Sequence, residues 1–365
     1  MKLSTLKSIR NIMGRSTSAS VMPILNCFLI TKEWLFYTDL LIQVTARHFF
    51  PLKEGTEGII VRSDHFLQVM QRINSPFFIN GQTGRNITFE QPESVRTLRN
   101  ENVDHHQGST DFPQIFSSAG MEPIFQVTPY ELAYMDIASQ FIADDDLRPI
   151  MATVCVGKDF IVSSDAHILY YRKIGISDDV EVLFDKKVIK LMMLFPNQTF
   201  QIGRNNKHVF AVSPDITICW RSDVNEHLQL GMGETMSKSK YPNWKAVLPK
   251  TEHSILLPVK EMIDALKSVK FALNPTTHQA RFQLEGERLK IIAKDVEADL
   301  FAAESINVKN PDNNTIEFAM KHDFVLRVLK CFLDEGYSQI SFGYVDCNHA
   351  FVFGDQILCM PMMLN

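Results

Sequence analysis

No apolar run in this chain of 365 residues approaches the ~20 residues that a membrane-spanning helix requires, so no segment reads as a bilayer span. Cysteine is sparse. The six thiols, Cys27, Cys155, Cys219, Cys331, Cys347 and Cys359, are scattered through apolar surroundings without a CxxC pair, which argues against a disulfide framework and against a zinc site. Long blocks of one charge sign are also missing, and 45% apolar with 22% charged residues excludes a disordered chain. The N-terminal MKLSTLKSIRNIMGR lacks the apolar stretch of a signal peptide, so a cytoplasmic location without membrane partners is expected. A net charge of −5 speaks against a tight, wrapping nucleic-acid binder, yet leaves room for cations gathered on one face.

Catalytic machinery is equally absent. Ser164, Asp165 and His167 lie together, but the alternation around them predicts a strand, on which Ser164 points away from the other two and no proton relay forms. The pair His105-His106 has only Asp104 and Asp111 near it and reads as a solvated loop rather than a metal site. Gly231-Met232-Gly233 lacks the following Lys and Ser/Thr of a phosphate loop. No catalytic residue, metal or cofactor is expected, and the chain reads as a non-enzyme.

What the sequence does have is repetition. MPILNCFLITKEWLFYTDLLIQV, RPIMATVCVGKDFIVSSDAHILYY and NPTTHQARFQLEGERLKIIAKDVEADLFA share one hydrophobic rhythm. Their prolines, Pro23, Pro149 and Pro275, stand 126 residues apart both times, and their aspartates, Asp39, Asp165 and Asp295, stand 126 and 130 apart. Turns at Thr31-Lys32-Glu33, Gly157-Lys158-Asp159 and Glu285-Gly286-Glu287 fall at the same place in each copy. The linkers repeat as well, since Phe112-Pro113 and Tyr241-Pro242 are 129 residues apart. Three domains are therefore expected, at 1–120, 121–250 and 251–365.

Each copy carries two helical patterns between alternating strands. In the first, residues about 4 to 14 and Asp64 to Ile73 have helical spacing, with Asp64 placed to cap. In the second, Thr128 to Ile142 opens with Thr-Pro and a Glu three residues after the Thr, a capping-box start, and a partner helix begins at Asp185. LPVKEMIDALKSVKFAL and HDFVLRVLKCFLDE repeat the pair in the third. The alternation within the strands suits antiparallel sheet with one face covered, so the fold class is α+β, with two helices packed on antiparallel sheets in each repeat.

Against this background the chain resembles the bacterial DNA polymerase sliding clamp, the beta subunit of the replicative polymerase, over its whole length. The resemblance rests on SSDAHILYY (Ser163 to Tyr171), YPNWKAVLPK (Tyr241 to Lys250), Met360-Pro361-Met362, and PILNCFLI followed by Thr38-Asp39-Leu40. It implies a crescent that dimerises into a ring around double-stranded DNA, without sequence preference, and that serves as a processivity factor for the polymerase catalytic subunit and its clamp loader. A clamp-like accessory or mobile-element protein, binding replication partners without being the main clamp, is the alternative that the same residues allow.

By the same resemblance, a partner-peptide pocket comprises Met151, Ser164, Ala166, His167, Leu169, Pro242, Val247, Leu358, Pro361 and Met362. Ala166 stands where the family usually has Gly, while Ile168, Ala246 and Met363 replace residues that are often Arg, so a less basic, greasier rim is expected. Helix cations proposed to face DNA are Lys7, Arg10, Arg15, Arg72, Lys186, Lys190, Lys267, Lys270, Arg327 and Lys330, each of which also suits the solvated face of an amphipathic helix, and Arg148, just beyond a helix, is proposed with them. The helix from Thr128 has no basic residue and runs into Asp144, Asp145 and Asp146. For the ring joint, Ala272-Leu273 occupies the place of an apolar pair, but the facing segment RNENVDHHQGSTDF is polar where an aromatic and a leucine belong.

Overall fold

A computed structural model of the chain describes all residues except 1, 15–21, 55, 57, 82–85, 100–111, 145–147, 176–179, 206, 222–240 and 365. The first stretch contains α1 (Leu3–Met13), β1 (Cys27–Ile30), β2 (Trp34–Thr38), β3 (Ile42–Arg47), β4 (Ile59–Arg62), α2 (Ser63–Gln71), β5 (Phe78–Asn80), β6 (Asn86–Gln91) and β7 (Ser94–Arg99). The second contains β8 (Glu122–Val127), α3 (Pro129–Ala138), β9 (Thr153–Gly157), β10 (Phe160–Ser164), β11 (Ile168–Lys173), β12 (Val182–Asp185), α4 (Lys186–Met192), β13 (Phe200–Arg204), β14 (His208–Val212) and β15 (Ile216–Arg221). The third contains β16 (His253–Pro258), α5 (Val259–Val269), β17 (Gln279–Glu285), β18 (Arg288–Asp295), β19 (Leu300–Asn307), β20 (Ile316–Lys321), α6 (His322–Asp334), β21 (Gln339–Tyr344), β22 (Phe351–Phe353) and β23 (Ile357–Cys359).

By spatial contact the chain divides into two compact units. One comprises Met1–Asp136, Gly157–Asp159 and Gly175–Gly233; the other comprises Ile137–Val156, Phe160–Ile174 and Glu234–Asn365. The first unit holds a sheet in the order β4-β1-β2-β3-β15-β14-β13-β8 and a smaller one, β5-β6-β7. Strands of the second run β9-β10-β11-β23-β22-β21-β16, with a four-stranded sheet β19-β18-β17-β20. The pairings are antiparallel, as the alternation demands, and the fold is mixed helix and sheet.

The core of each unit is aromatic. In the first, Phe28, Tyr37, Phe66 and Phe89 meet edge-on or tilted at centroid distances of 5.1 to 6.0 Å. In the second, Phe318 stacks on Phe282 at 5.1 Å and lies 4.4 Å from Phe351, which in turn stacks on Phe342 at 5.2 Å. Each such ring contributes about 1.5–3 kcal/mol by leaving water. The helices cover these layers with one face. In α5, Val259, Met262, Ile263, Leu266 and Val269 are buried at three- and four-residue steps, while Lys260, Asp264 and Lys267 remain outside.

The helix starts follow local chemistry. Glu131 accepts the backbone N–H of Thr128, the return half of a capping box, and also takes the Thr128 hydroxyl, and Pro129 opens α3. Asp185 caps α4 by accepting from the Lys187 N–H at 2.6 Å. Two expectations need correction. Asp64 does not cap α2: Arg62 occupies the N-cap position, and Asp64 is the second residue of the first turn, paired with Arg62 at 2.9 Å. α3 stops at Ala138 rather than Ile142, because the N–H groups of Gln140 and Phe141 bond three residues back, to Ile137 and Ala138, and tighten the chain out of the helix.

The repeated aspartates share one job. Asp39 Oδ1 accepts the N–H of Leu41 at 3.0 Å and of Ile42 at 2.8 Å. Asp165 Oδ1 does the same for His167 at 2.9 Å and Ile168 at 2.8 Å, and Asp295 Oδ1 for Glu297 at 3.1 Å and Ala298 at 3.5 Å. A short carboxylate that binds backbone two and three residues on turns the chain from one strand to the next. In the first two copies a hydroxyl completes the turn: Thr38 donates to the Ile42 carbonyl at 3.0 Å, and Ser164 to the Ile168 carbonyl at 2.9 Å. The residue after each aspartate, Leu40 at φ 76° or Ala166 at φ 77°, is left-handed, a conformation that suits glycine.

Left-handed backbone costs a residue with a Cβ about 1–2 kcal/mol, and glycine gives back roughly 0.5–1 kcal/mol of that in unfolded-chain entropy. Ala166→Gly is therefore expected to raise the unfolding free energy by about 0.5 kcal/mol in urea titration. A fall in stability would contradict the strain argument.

Candidate functional site

Pairing of β11 with β23 brings several of the residues expected in the pocket to one strand joint. Leu169 stands opposite Leu358, and Ile168 opposite Cys359, with both leucines buried as a floor. Beyond β23 the chain stays docked. The Met360 N–H donates to the His167 carbonyl at 2.8 Å, and the Met362 N–H to the Ala319 carbonyl at 2.7 Å. Met362 and Pro361 are half-buried between these anchors, whereas Met363 is exposed although its carbonyl accepts from Gln279 at 2.6 Å.

The 241–247 segment flanks the same hairpin. Tyr241 is buried beside Ser164 and Cys155, and its hydroxyl is pushed well above its ordinary pKa by that burial. Trp244 packs edge-on to Phe160 at 5.1 Å and against Tyr171 at 5.5 Å, with the Lys245 ammonium over Phe160 at 5.2 Å. Pro242 and Val247 are consequently held at the surface, Val247 at 56% exposure. Met151 is half-buried ahead of β9 and bonds through its carbonyl to the Ala143 N–H at 2.8 Å.

Ser164 ends β10, but Asp165 and His167 leave the strand for the turn described above: the Ser164 oxygen accepts the Ala166 N–H at 3.1 Å, and Asp165 is committed to backbone, so no relay exists for a second reason. Ala166 and His167 are exposed at the edge of the apolar floor. Of the residues expected to make the rim greasier, Ala246 and Met363 are exposed, but Ile168 is buried in β11, and Lys321 and Arg327 bring cations in from β20 and α6, over the Phe324 ring at 4.8 and 5.6 Å. Sequence reasoning passed over Lys321 and Phe324, although their three-residue spacing at the head of a helix was visible.

Of the helix cations, Lys7, Arg72, Arg148, Lys186, Lys190, Lys267, Lys270 and Lys330 are exposed, and Arg10 and Arg327 are half-buried. Several are engaged. Arg327 donates to the Gln140 carbonyl at 3.0 Å, Lys267 pairs with Asp264 at 3.8 Å, and Lys186 and Lys190 act on Asp136 of α3, whose carboxyl is raised by burial and drawn back down by those two charges. Arg15, Asp145, Asp146, Gly231 to Gly233, His105 and His106 lie outside the described residues, and Asp144 is exposed. Among the described residues no group of three or more His, Cys, Asp or Glu could hold a metal, and no helix is long and apolar enough to cross a membrane.

No family model and no curated protein matches the sequence. Solved structures do. A DNA polymerase III subunit beta sliding clamp from Bartonella birtlesii, bound to griselimycin, matches at TM-score 0.82 and 14% identity over 99% of this chain and 97% of its own. The DNA polymerase III beta subunit of Thermotoga maritima matches at 0.79 and 18% identity over 100% and 99%. A Helicobacter pylori beta clamp bound to a DNA ligase peptide matches at 0.78 and 16% identity over 99% and 98%. The chain has the sliding-clamp fold.

Within that clamp fold, Ala272 and Leu273 do not offer the surface expected of them. Ala272 is 0% and Leu273 9% exposed, because the tight turn Lys270–Ala272 that follows α5 directs them inward. The turn instead presents Phe271 at 66% exposure, and Phe301 on β19 is 62% exposed, with Val296 and Leu300 also uncovered. The facing segment 99–112 lies almost wholly outside the described residues, and the strand before it is β7. Both β7 and β19 end their sheets. The opposite ends are occupied, since residues 51–53 bond to Ile79 of β5 and Met362 bonds to Ala319 of β20.

A buried histidine ties this part of the clamp fold together. His322, at the head of α6, reaches the Leu266 carbonyl of α5 at 2.9 Å and the Asp323 carboxylate at 3.2 Å, and His278 meets the same carboxylate at 3.0 Å. Burial pushes the Asp323 carboxyl up, but the hydrogen bond from His322 and the charges of His322, His278 and Lys270 outweigh it and hold the carboxyl below its ordinary range. A depressed carboxyl stabilises the fold above the unfolded-state pKa and loses that contribution as pH falls through the folded one. Asp323→Asn is therefore expected to lower stability at pH 7 by less than about 1 kcal/mol, because the pair is half-exposed. In thermal melts the gap to wild type should close as pH drops below the carboxylate range; a gap that persists unchanged at acid pH would refute the ion-pair account.

Proposed function

We propose that the chain is a processivity factor: two copies close head to tail around duplex DNA and tether a DNA polymerase catalytic subunit, delivered by a clamp loader, through the pocket at the β11–β23 joint. The observation that carries this reading is the match to bacterial clamps over 99% or more of this chain and 97% or more of theirs, at TM-scores of 0.78 to 0.82. Three domains at 1–120, 121–250 and 251–365 would each supply two of the six described helices. In a ring, topology keeps the protein on DNA, so the contacts to phosphate need only be weak and without register. Helix lysines that stand near carboxylates, Lys186 and Lys190 by Asp136 and Lys267 by Asp264, suit that demand better than a strongly cationic face.

Ring closure would have a physical basis in two strand edges that are unpaired among the described residues. An exposed edge is a template for pairing with another chain. β7 carries Arg96 and Arg99, while β19 carries Glu304 and follows Glu297 and Asp299, so the edges are complementary in charge as well as in hydrogen bonding. Phe271, Leu300 and Phe301 would add the apolar contact. For the pocket, support comes from the peptide-bound state of the Helicobacter pylori clamp. A floor of buried leucines lined by methionines suits short segments that insert Leu or Phe side chains. No catalytic role is assigned.

Light scattering after size exclusion is expected to give twice the chain mass, and Phe301→Asp is expected to weaken association at least tenfold. On a nicked circular plasmid the loaded protein should be released when the DNA is linearised. A monomer at micromolar concentration, or retention on linear DNA, would count against encirclement.

A further inference from the structure

We propose that Lys321 and Arg327, gathered with His167 around the Phe324 ring, make this pocket select partner segments that carry a carboxylate beside their apolar anchors. The inference rests on the peptide-pocket reading and adds the charge of the ligand to it. Phe324 is buried to 9% exposure, with the Lys321 ammonium 4.8 Å and the Arg327 guanidinium carbon 5.6 Å from its centroid, and the His167 ring lies at 6.4 Å inclined by 30°. The docked tail passes through the same place. His167 holds Met360 through its carbonyl on one side, and Ala319, two residues before Lys321, holds Met362 on the other. The apolar floor and the cations therefore share one edge.

The carboxylates nearby are already occupied. Asp323 is turned to His278 at 3.0 Å and His322 at 3.2 Å, and Asp165 Oδ1 accepts two backbone N–H groups. Arg327 donates one N–H to the Gln140 carbonyl and retains further donors on its guanidinium. A cation resting on an aromatic face keeps its N–H groups for an incoming acceptor, and the ring holds it in position beforehand. A carboxylate placed over Phe324 would meet both charges, whereas an ammonium would meet two like charges.

The test uses three synthetic peptides with identical Leu and Phe anchors and Asp, Asn or Lys at one flanking position, titrated by fluorescence anisotropy against the full chain. The Asp peptide is expected to bind about fivefold tighter than the Asn peptide, the size of one partly exposed charge contact. The Lys peptide should bind weaker than both, and the preference should shrink as salt rises from about 50 to about 500 mM. Lys321→Ala should bring the Asp and Asn peptides within about twofold of each other, with an unchanged thermal melt reporting an intact fold. Lys321→Arg should restore the preference, and Lys321→Glu should reverse it. Equal affinity of wild type for Asp and Asn, or a preference that survives in Lys321→Ala, overturns the charge selection and leaves the pocket standing. Failure of all three peptides to bind overturns both.

Discussion

Backbone pairing between strands far apart in the sequence is the constraint on which the rest depends. β3 receives β15, with Ile42 opposite Trp220 and Val44 opposite Ile218. β11 receives β23, with Leu169 opposite Leu358. Each joint converts two short sheets, whose edges would otherwise be open, into one continuous layer. The hairpins β2–β3 and β10–β11 that present the receiving strands are set by one device, an aspartate that folds its own backbone back. That local turn is why a 126-residue periodicity in aspartates can be read directly from the sequence.

The proposed pocket would be a by-product of the second joint. Because β11 is consumed by β23, the Ser164 to His167 turn lies beside the segment that leaves β23, and two main-chain hydrogen bonds fix that segment between β11 and β20. Flexible methionines are thereby held on a rigid frame, an arrangement that combines adaptable packing with low ordering cost. α6 begins where β20 ends, so the cations at its head reach the same edge without any insertion in the sequence.

Local signals in the sequence carried far. The three hairpin turns, the capping box at Thr128, the Asp185 cap and the pairing of strands within each copy all depend on residues a few positions apart, and each was legible. Orientation was not. Ala272 and Leu273 match an apolar pair in position, but a tight turn after α5 faces them inward and Phe271 outward, and no pattern of three residues encodes that choice. Ser164 to His167 alternates like a strand, yet the aspartate's bonds to backbone override the alternation. Lys321 escaped notice because β20 ends on it, although as the N-cap of α6 it stands three residues before Phe324 and six before Arg327. Arg327 itself was expected on an open helix face and instead spends one donor on Gln140.

The β3–β15 joint has a cost during synthesis. At about 5–20 residues per second, β15 emerges on the order of ten to thirty seconds after β3. Through that interval Ile42, Gln43 and Val44, all buried in the finished sheet, stand at a bare strand edge on the ribosome-bound chain. Neighbouring nascent chains would offer each other the same edge, so pairing between unfinished copies competes with folding until β15 is in place.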